Sequence, residues 1–128
     1  MASKSALRVE AAPLSPAPAS GPIDMGFLAR QTLGDEGLAL EVLRLFDEMT
    51  RTYYARLETS TSVPDLLQHL HTLRGAASGV GAFALAELAK TAEEELRAGN
   101  PVNPERIDDL GIAVNEASAF IADHVNAA

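Results

Sequence analysis

The stretch Leu66-Leu67-Gln68-His69-Leu70-His71-Thr72-Leu73-Arg74-Gly75-Ala76-Ala77-Ser78-Gly79-Val80 carries its apolar residues at helical spacing. Leu66, Leu70, Leu73, Ala77 and Val80 recur every three or four positions. On a helix turning 100° per residue they share one face. The pattern predicts a helix from about Pro64 to Val80. Ser62 with Asp65 three residues on resembles a capping box, and Pro64 fits the first helical turn. Gly79 and Gly81 mark its end.

Outward from this segment the same periodicity repeats. A long helix is predicted from about Glu36 to Leu57, with Leu38, Val42, Leu45, Phe46, Met49, Tyr53 and Leu57 as its apolar stripe. Phe27, Leu28 and Leu33 suggest a short helix before it, stopped at Gly34-Asp35. After the central segment, Leu85, Leu88, Ala92 and Leu96 line a helix over about Ala82 to Ala98, ended by Gly99-Asn100-Pro101. Asn103 is a fitting N-cap and Pro104 a fitting first residue for the last helix. That helix carries Ile107, Leu110, Val114, Ala117, Ile121 and Val125. Four long helices with short connections predict an all-α fold. The expected architecture is an antiparallel four-helix bundle with a short additional N-terminal helix over one end.

Composition narrows the classes of function. The chain has 128 residues and a formal net charge of −8. That length suits one domain with a single core. Residues 1–22, rich in Ala, Pro and Ser, read as a disordered tail, leaving 23–128 as the helical domain. The acidic balance argues against nucleic acid and anionic membranes as partners. There is no cysteine, hence no disulfide, thiolate metal site or cysteine nucleophile. No apolar run reaches the ~18 residues of a membrane span, and no secretory signal is supported. A cytoplasmic protein is the default expectation.

The chemistry concentrates on the central helix. Relative to its apolar face, His71 points roughly 140° away and His69 only about 60° away. His69 is therefore the structural histidine, and His71 should stand in solvent or at a groove edge. Gly75 lies almost opposite the core. A mid-helix glycine costs about 1 kcal/mol relative to alanine. Its bare backbone lets another protein approach the imidazole. Arg74, at i+3 from His71, can reach toward an anion held there. Ser78 extends the face with a hydroxyl. By itself an exposed helical histidine is ordinarily just a solvated residue, and geometry alone leaves that reading open. His69 and His71, spaced i and i+2, make a poor metal pair. No nucleotide-binding loop occurs.

His71-Thr72-Leu73-Arg74-Gly75, with Gly81 six residues beyond Gly75, closely resembles the His-x-Leu-Lys-Gly…Gly motif of histidine-containing phosphotransfer (HPt) domains, the relay modules of bacterial two-component systems. Leu33-Gly34-Asp35-Glu36 and a long helix bearing Phe46 look like the approach to that motif. Leu85…Leu88-Ala89-Lys90…Glu93-Glu94…Leu96-Arg97-Ala98-Gly99 looks like the helix that follows. The similarity runs over about residues 24 to 125. It implies that His71 is the phosphoryl acceptor and donor. Arg74 stands where the family has lysine, keeping the charge but changing its geometry. Gly75, Ser78 and Lys90 fall on the implied docking face. Glu93 matches the family's Gln or Glu that hydrogen-bonds the other ring nitrogen, or else is a solvated residue of the run Glu93-Glu94-Glu95.

What the resemblance implies is a phosphorelay intermediate. It would take a phosphoryl group from a receiver-domain aspartate and pass it to a second receiver. The implied partners are receiver domains of response regulators or hybrid kinases, with Mg²⁺ on the receiver and no cofactor, metal or ATP site in this chain. It would then lack kinase activity of its own, and a monomer is expected. Two alternatives stand beside this reading: the phosphoacceptor domain of a chemotaxis-type histidine kinase, which Glu93 suits, and a non-catalytic helical adaptor.

Overall fold

The computed structural model describes residues 21–127, so most of the tail expected over 1–22 lies outside the described residues. Five helices follow one another: α1 (Met25–Gln31), α2 (Glu36–Thr59), α3 (Val63–Val80), α4 (Phe83–Arg97) and α5 (Pro104–Ala127). Among the described residues there is no strand.

Local chemistry sets most of the helix starts. Asp24 accepts from Phe27 N–H, Asp35 from Leu38 N–H and Ser62 from Asp65 N–H. The Asn103 side chain accepts from Glu105 N–H at 3.0 Å, ahead of Pro104. Each of these bonds satisfies a backbone donor that the helix itself leaves free. The α3–α4 junction turns on Gly81, at φ +91°. A Cβ there would lie 3.0 Å from the Asp24 carbonyl and 3.1 Å from the Phe27 ring. Gly81 is thus required both by its left-handed backbone and by the close approach of α1.

Ring-wise packing makes the bundle: α2 against α3, α3 against α4, α4 against α5, and α5 back against α2. Contacts at the two ends fix the antiparallel sense. Tyr54, late in α2, donates to the Ile107 carbonyl early in α5 at 3.1 Å. Arg106 at the start of α5 pairs with Glu95 near the end of α4 at 2.8 Å. At the opposite end, Asp24 N–H donates to the Gly81 carbonyl and Phe27 meets Phe83 edge-on. The short α1 therefore caps the end where α3 finishes and α4 begins.

The α3 stripe read from the sequence is the buried one: Leu66, Leu70, Leu73, Ala77 and Val80 are all core residues. Fully buried leucines such as Leu70 and Leu73 each contribute about 1.5–3 kcal/mol. The phase expected for α2 needs correction. Leu38 and Leu45 are exposed, at 47% and 58%, while Leu43, Phe46, Thr50 and Leu57 face the core. Thr50 enters an apolar face because its hydroxyl donates to the Asp47 carbonyl of its own helix. Leu33 is likewise no helix-face residue. It sits at φ +55° and is 92% exposed, in the turn that stops α1.

Candidate functional site

Helix phase decides what α3 shows to solvent. The His71 side chain is 62% exposed, and Gly75 and Ser78 are exposed with it. His69 turns toward α2, half-buried, with its ring edge-on to Tyr53 at 5.6 Å between centroids.

The side of α4 that faces His71 supplies Glu93. It is the one charged side chain buried among the described residues, at 2% exposure. An unpaired carboxylate so placed would carry a penalty of several kcal/mol, and three cationic or polar partners offset it. His71 Nδ1 lies 3.2 Å from Oε2. Arg97, one turn further along α4, donates to the same oxygen from Nη2 at 2.8 Å and from Nε at 3.2 Å. Arg74 Nη1 stands 3.4 Å from the other oxygen, Oε1, which accepts no hydrogen bond.

These neighbours set the protonation of the site. Burial pushes the Glu93 carboxyl up, but the Arg97 hydrogen bonds, the charge of Arg74 and the His71 contact together hold it below the ordinary glutamate value. Glu93 is therefore a carboxylate at neutral pH and can only accept hydrogen bonds. In the neutral imidazole, a hydrogen bond across this contact requires the ring proton on Nδ1. Nε2 is then left with a free lone pair, on an imidazole that is mostly in solvent.

Beside the imidazole, the helix surface opens rather than closes. A Cβ added at Gly75 or at Gly79 would meet nothing within 4 Å. Arg74, Gly75 and Ser78 of α3, with Ala86, Glu87 and Lys90 of α4, line one shallow depression. Lys90 makes no ion pair among the described residues. The structure thus gathers His71 and Arg74 on Glu93 and puts Gly75, Ser78 and Lys90 in the adjoining hollow.

Residues 41–120, spanning α2 to most of α5, match the family model of the Hpt domain. The chain belongs to the Hpt domain family. With the family comes a role in histidine phosphotransfer within phosphorelays, where Hpt domains interact with receiver domains. No curated protein and no solved structure matches the chain. This Hpt domain has no helix, among the described residues, long and apolar enough to cross a membrane. Nor do its described residues hold a group of three or more His, Asp or Glu side chains suited to a metal ion.

One residue of the constellation escaped the reading of the sequence. Arg97 was visible only as part of the sequence after the motif, although its spacing of four from Glu93 is that of a helical ion pair. What the spacing could not show is that Glu93 points inward, which makes the pair part of the histidine's surroundings.

Proposed function

We propose that this Hpt domain is a phosphorelay intermediate whose phosphoryl acceptor and donor is His71. The observation that carries the reading is the contact of an exposed imidazole, through Nδ1, with a buried carboxylate. With Nδ1 so engaged, Nε2 of the largely exposed ring is the nucleophile.

In the proposed reaction a receiver domain bearing an aspartyl phosphate docks over the α3–α4 face. His71 Nε2 attacks phosphorus in line. The N–P bond forms as the P–O bond to the aspartate breaks, and the aspartate carboxylate leaves with the electron pair. The proton on Nδ1 stays in place, so the ring acquires imidazolium character. Glu93 stabilises that charge from 3.2 Å, in a setting where the carboxylate is already fixed and needs no reorganisation. Arg74 lies one helical turn from His71 and supplies positive charge for the phosphoryl oxygens. Phosphoryl transfer asks chiefly for this kind of positioning and charge compensation. The reverse steps load a second receiver.

Gly75, Gly79 and Ser78 leave a low surface for the partner's approach, and Lys90 offers a cation to its acidic site. Any Mg²⁺ belongs to the receiver in this reading.

The direct test is transfer of ³²P from a phosphorylated receiver domain. His71→Gln should accept no label while keeping its helical circular-dichroism spectrum. Labelling of the variant at the wild-type rate would remove His71 from the role. The presence of a carboxylate rather than an amide against the ring favours, as a second reading, the phosphoacceptor domain of a chemotaxis-type kinase. That reading predicts labelling by an ATP-bound kinase domain and none from receiver phosphate.

A further inference from the structure

Two arginines share Glu93, and they hold it differently. Arg97 makes two hydrogen bonds to Oε2, at 2.8 and 3.2 Å, from the same helix and one turn away. Arg74 reaches Oε1 at 3.4 Å with no hydrogen bond formed, from the neighbouring helix. The geometry points to a division of labour: Arg97 is the fixed anchor that keeps Glu93 aimed at His71, while Arg74 is a releasable cation that swings from Glu93 Oε1 to the phosphoryl group on His71. The inference rests on His71 being the acceptor and assigns the two arginines separate duties around it.

Three physical points support it. First, Oε2 is the oxygen that faces the ring, so the residue that fixes Oε2 fixes the ring's tautomer. Two donors converging on that one oxygen restrain it in a way a single long contact does not. Second, an arginine lost from Glu93 during transfer must not leave the buried carboxylate without a partner, because breaking such pairing is strongly destabilising. Arg97 meets that need for as long as Arg74 is away. Third, the Arg74 side chain is 35% exposed and lies on the same face as His71, so it can turn outward without disturbing the core. No other lysine or arginine pairs with Glu93 among the described residues. On α5, Arg106 is bound to Glu95, and on α4 Lys90 is exposed.

When the phosphoryl group arrives on Nε2, its oxygens bring negative charge to the exposed side of the ring. Arg74 then exchanges a 3.4 Å ion pair for charge-assisted hydrogen bonds to those oxygens. Glu93 stays against Nδ1, held by Arg97. Arg97 is in this account a positioning residue, acting on His71 only through Glu93.

The test uses the full chain with phosphoramidate, a small phosphodonor. It loads histidine as its P–N bond breaks and ammonia leaves, so no partner docking enters the readout. Two spectroscopic signals are followed: the ¹⁵N shifts that report the His71 tautomer and the ¹³C titration of the Glu93 carboxyl. In Arg97→Ala the Nδ1–H tautomer should lose its dominance, the Glu93 titration should move up, and labelling should slow about tenfold, in keeping with other partners that orient a reactive group. Arg97→Lys should restore much of all three. Arg97 is 58% exposed on its side chain, so its loss should leave the fold intact. In Arg74→Ala the tautomer should stay as in the wild type while labelling slows. The proposal is overturned if Arg97→Ala leaves the tautomer unchanged, or if Arg74→Ala shifts it as far as Arg97→Ala does. Label arriving anywhere but His71 in the wild type would instead sink the acceptor reading and Arg74's part with it, while the tautomer comparison would still decide whether Arg97 fixes the ring through Glu93.

Discussion

At Gly75 a methyl group would meet nothing within 4 Å, yet glycine mid-helix costs about 1 kcal/mol relative to alanine. Nothing among the described residues asks for the absence of a side chain. In the proposed reading the reason lies outside, in the receiver domain that approaches His71. Gly75→Ala should therefore raise the melting temperature by several degrees, the shift that about 1 kcal/mol produces in a domain of this size. The same substitution should slow transfer from a receiver domain and leave labelling by phosphoramidate unaffected. A variant that is more stable and equally fast with the receiver would show that the glycine is incidental. Glu93 teaches a related lesson. As one letter in the run Glu93-Glu94-Glu95 it reads equally well as a solvated residue. Its burial follows from the turn of α4 against α3, which a single helix's periodicity does not report. The outward placement of His71, Arg74 and Gly75 was legible because all three lie on one helix, where spacing fixes direction, whereas their expected role rested on the resemblance of the motif. Arg97 was not legible, because its importance depends on which way its partner on α4 points.

Among the helices, α3 shows how much periodicity can say and α2 shows where it stops. Every residue of the expected α3 stripe is buried, since that helix has one apolar face. Helix α2 has two: Leu38, Val42, Leu45 and Met49 run along one side, Leu43, Phe46 and Leu57 along another. Spacing cannot choose between them, and Thr50, buried at 1% exposure, disguises the true core face as a polar one. A further constraint links α2 to α5. A Cβ on Gly111 would fall 2.5 Å from the Tyr54 hydroxyl oxygen and 2.8 Å from Cζ. Tyr54 cannot yield without losing its hydrogen bond to the Ile107 carbonyl. Gly111→Ala should destabilise the domain by about 1–3 kcal/mol, as overpacking of a filled site does, despite the better helix propensity of alanine. Urea denaturation of Gly111→Ala beside Gly111→Ala/Tyr54→Phe measures this. If the single variant is as stable as the wild type, α5 can shift away from α2 more easily than the packing implies.

For the bundle as a whole, the antiparallel arrangement sets a buried carboxylate beside an exposed imidazole, and that placement carries a pH signature. Glu93 titrates below the ordinary glutamate value, which is about 4.3. A group depressed on folding stabilises the native state fully above its unfolded value, and the contribution disappears as pH falls through the folded one. The urea midpoint of the wild type should accordingly fall more steeply than that of Glu93→Gln between about pH 5 and pH 3. Parallel declines would mean that the carboxylate is not held as described. The salt-bridged Glu95, also depressed by Arg106, acts in the same window but equally in both proteins. The central claim is more specific than the presence of an Hpt fold: the phosphoryl group is carried by His71, and by its Nε2, because Nδ1 is engaged with Glu93. Loading the ¹⁵N-labelled chain from a phosphorylated receiver and recording ³¹P–¹⁵N correlation spectra tests that claim directly. The account predicts one phosphohistidine signal, assigned to Nε2 of His71 and absent in His71→Gln. Phosphorus bonded to Nδ1, or a signal that survives the substitution, would contradict it.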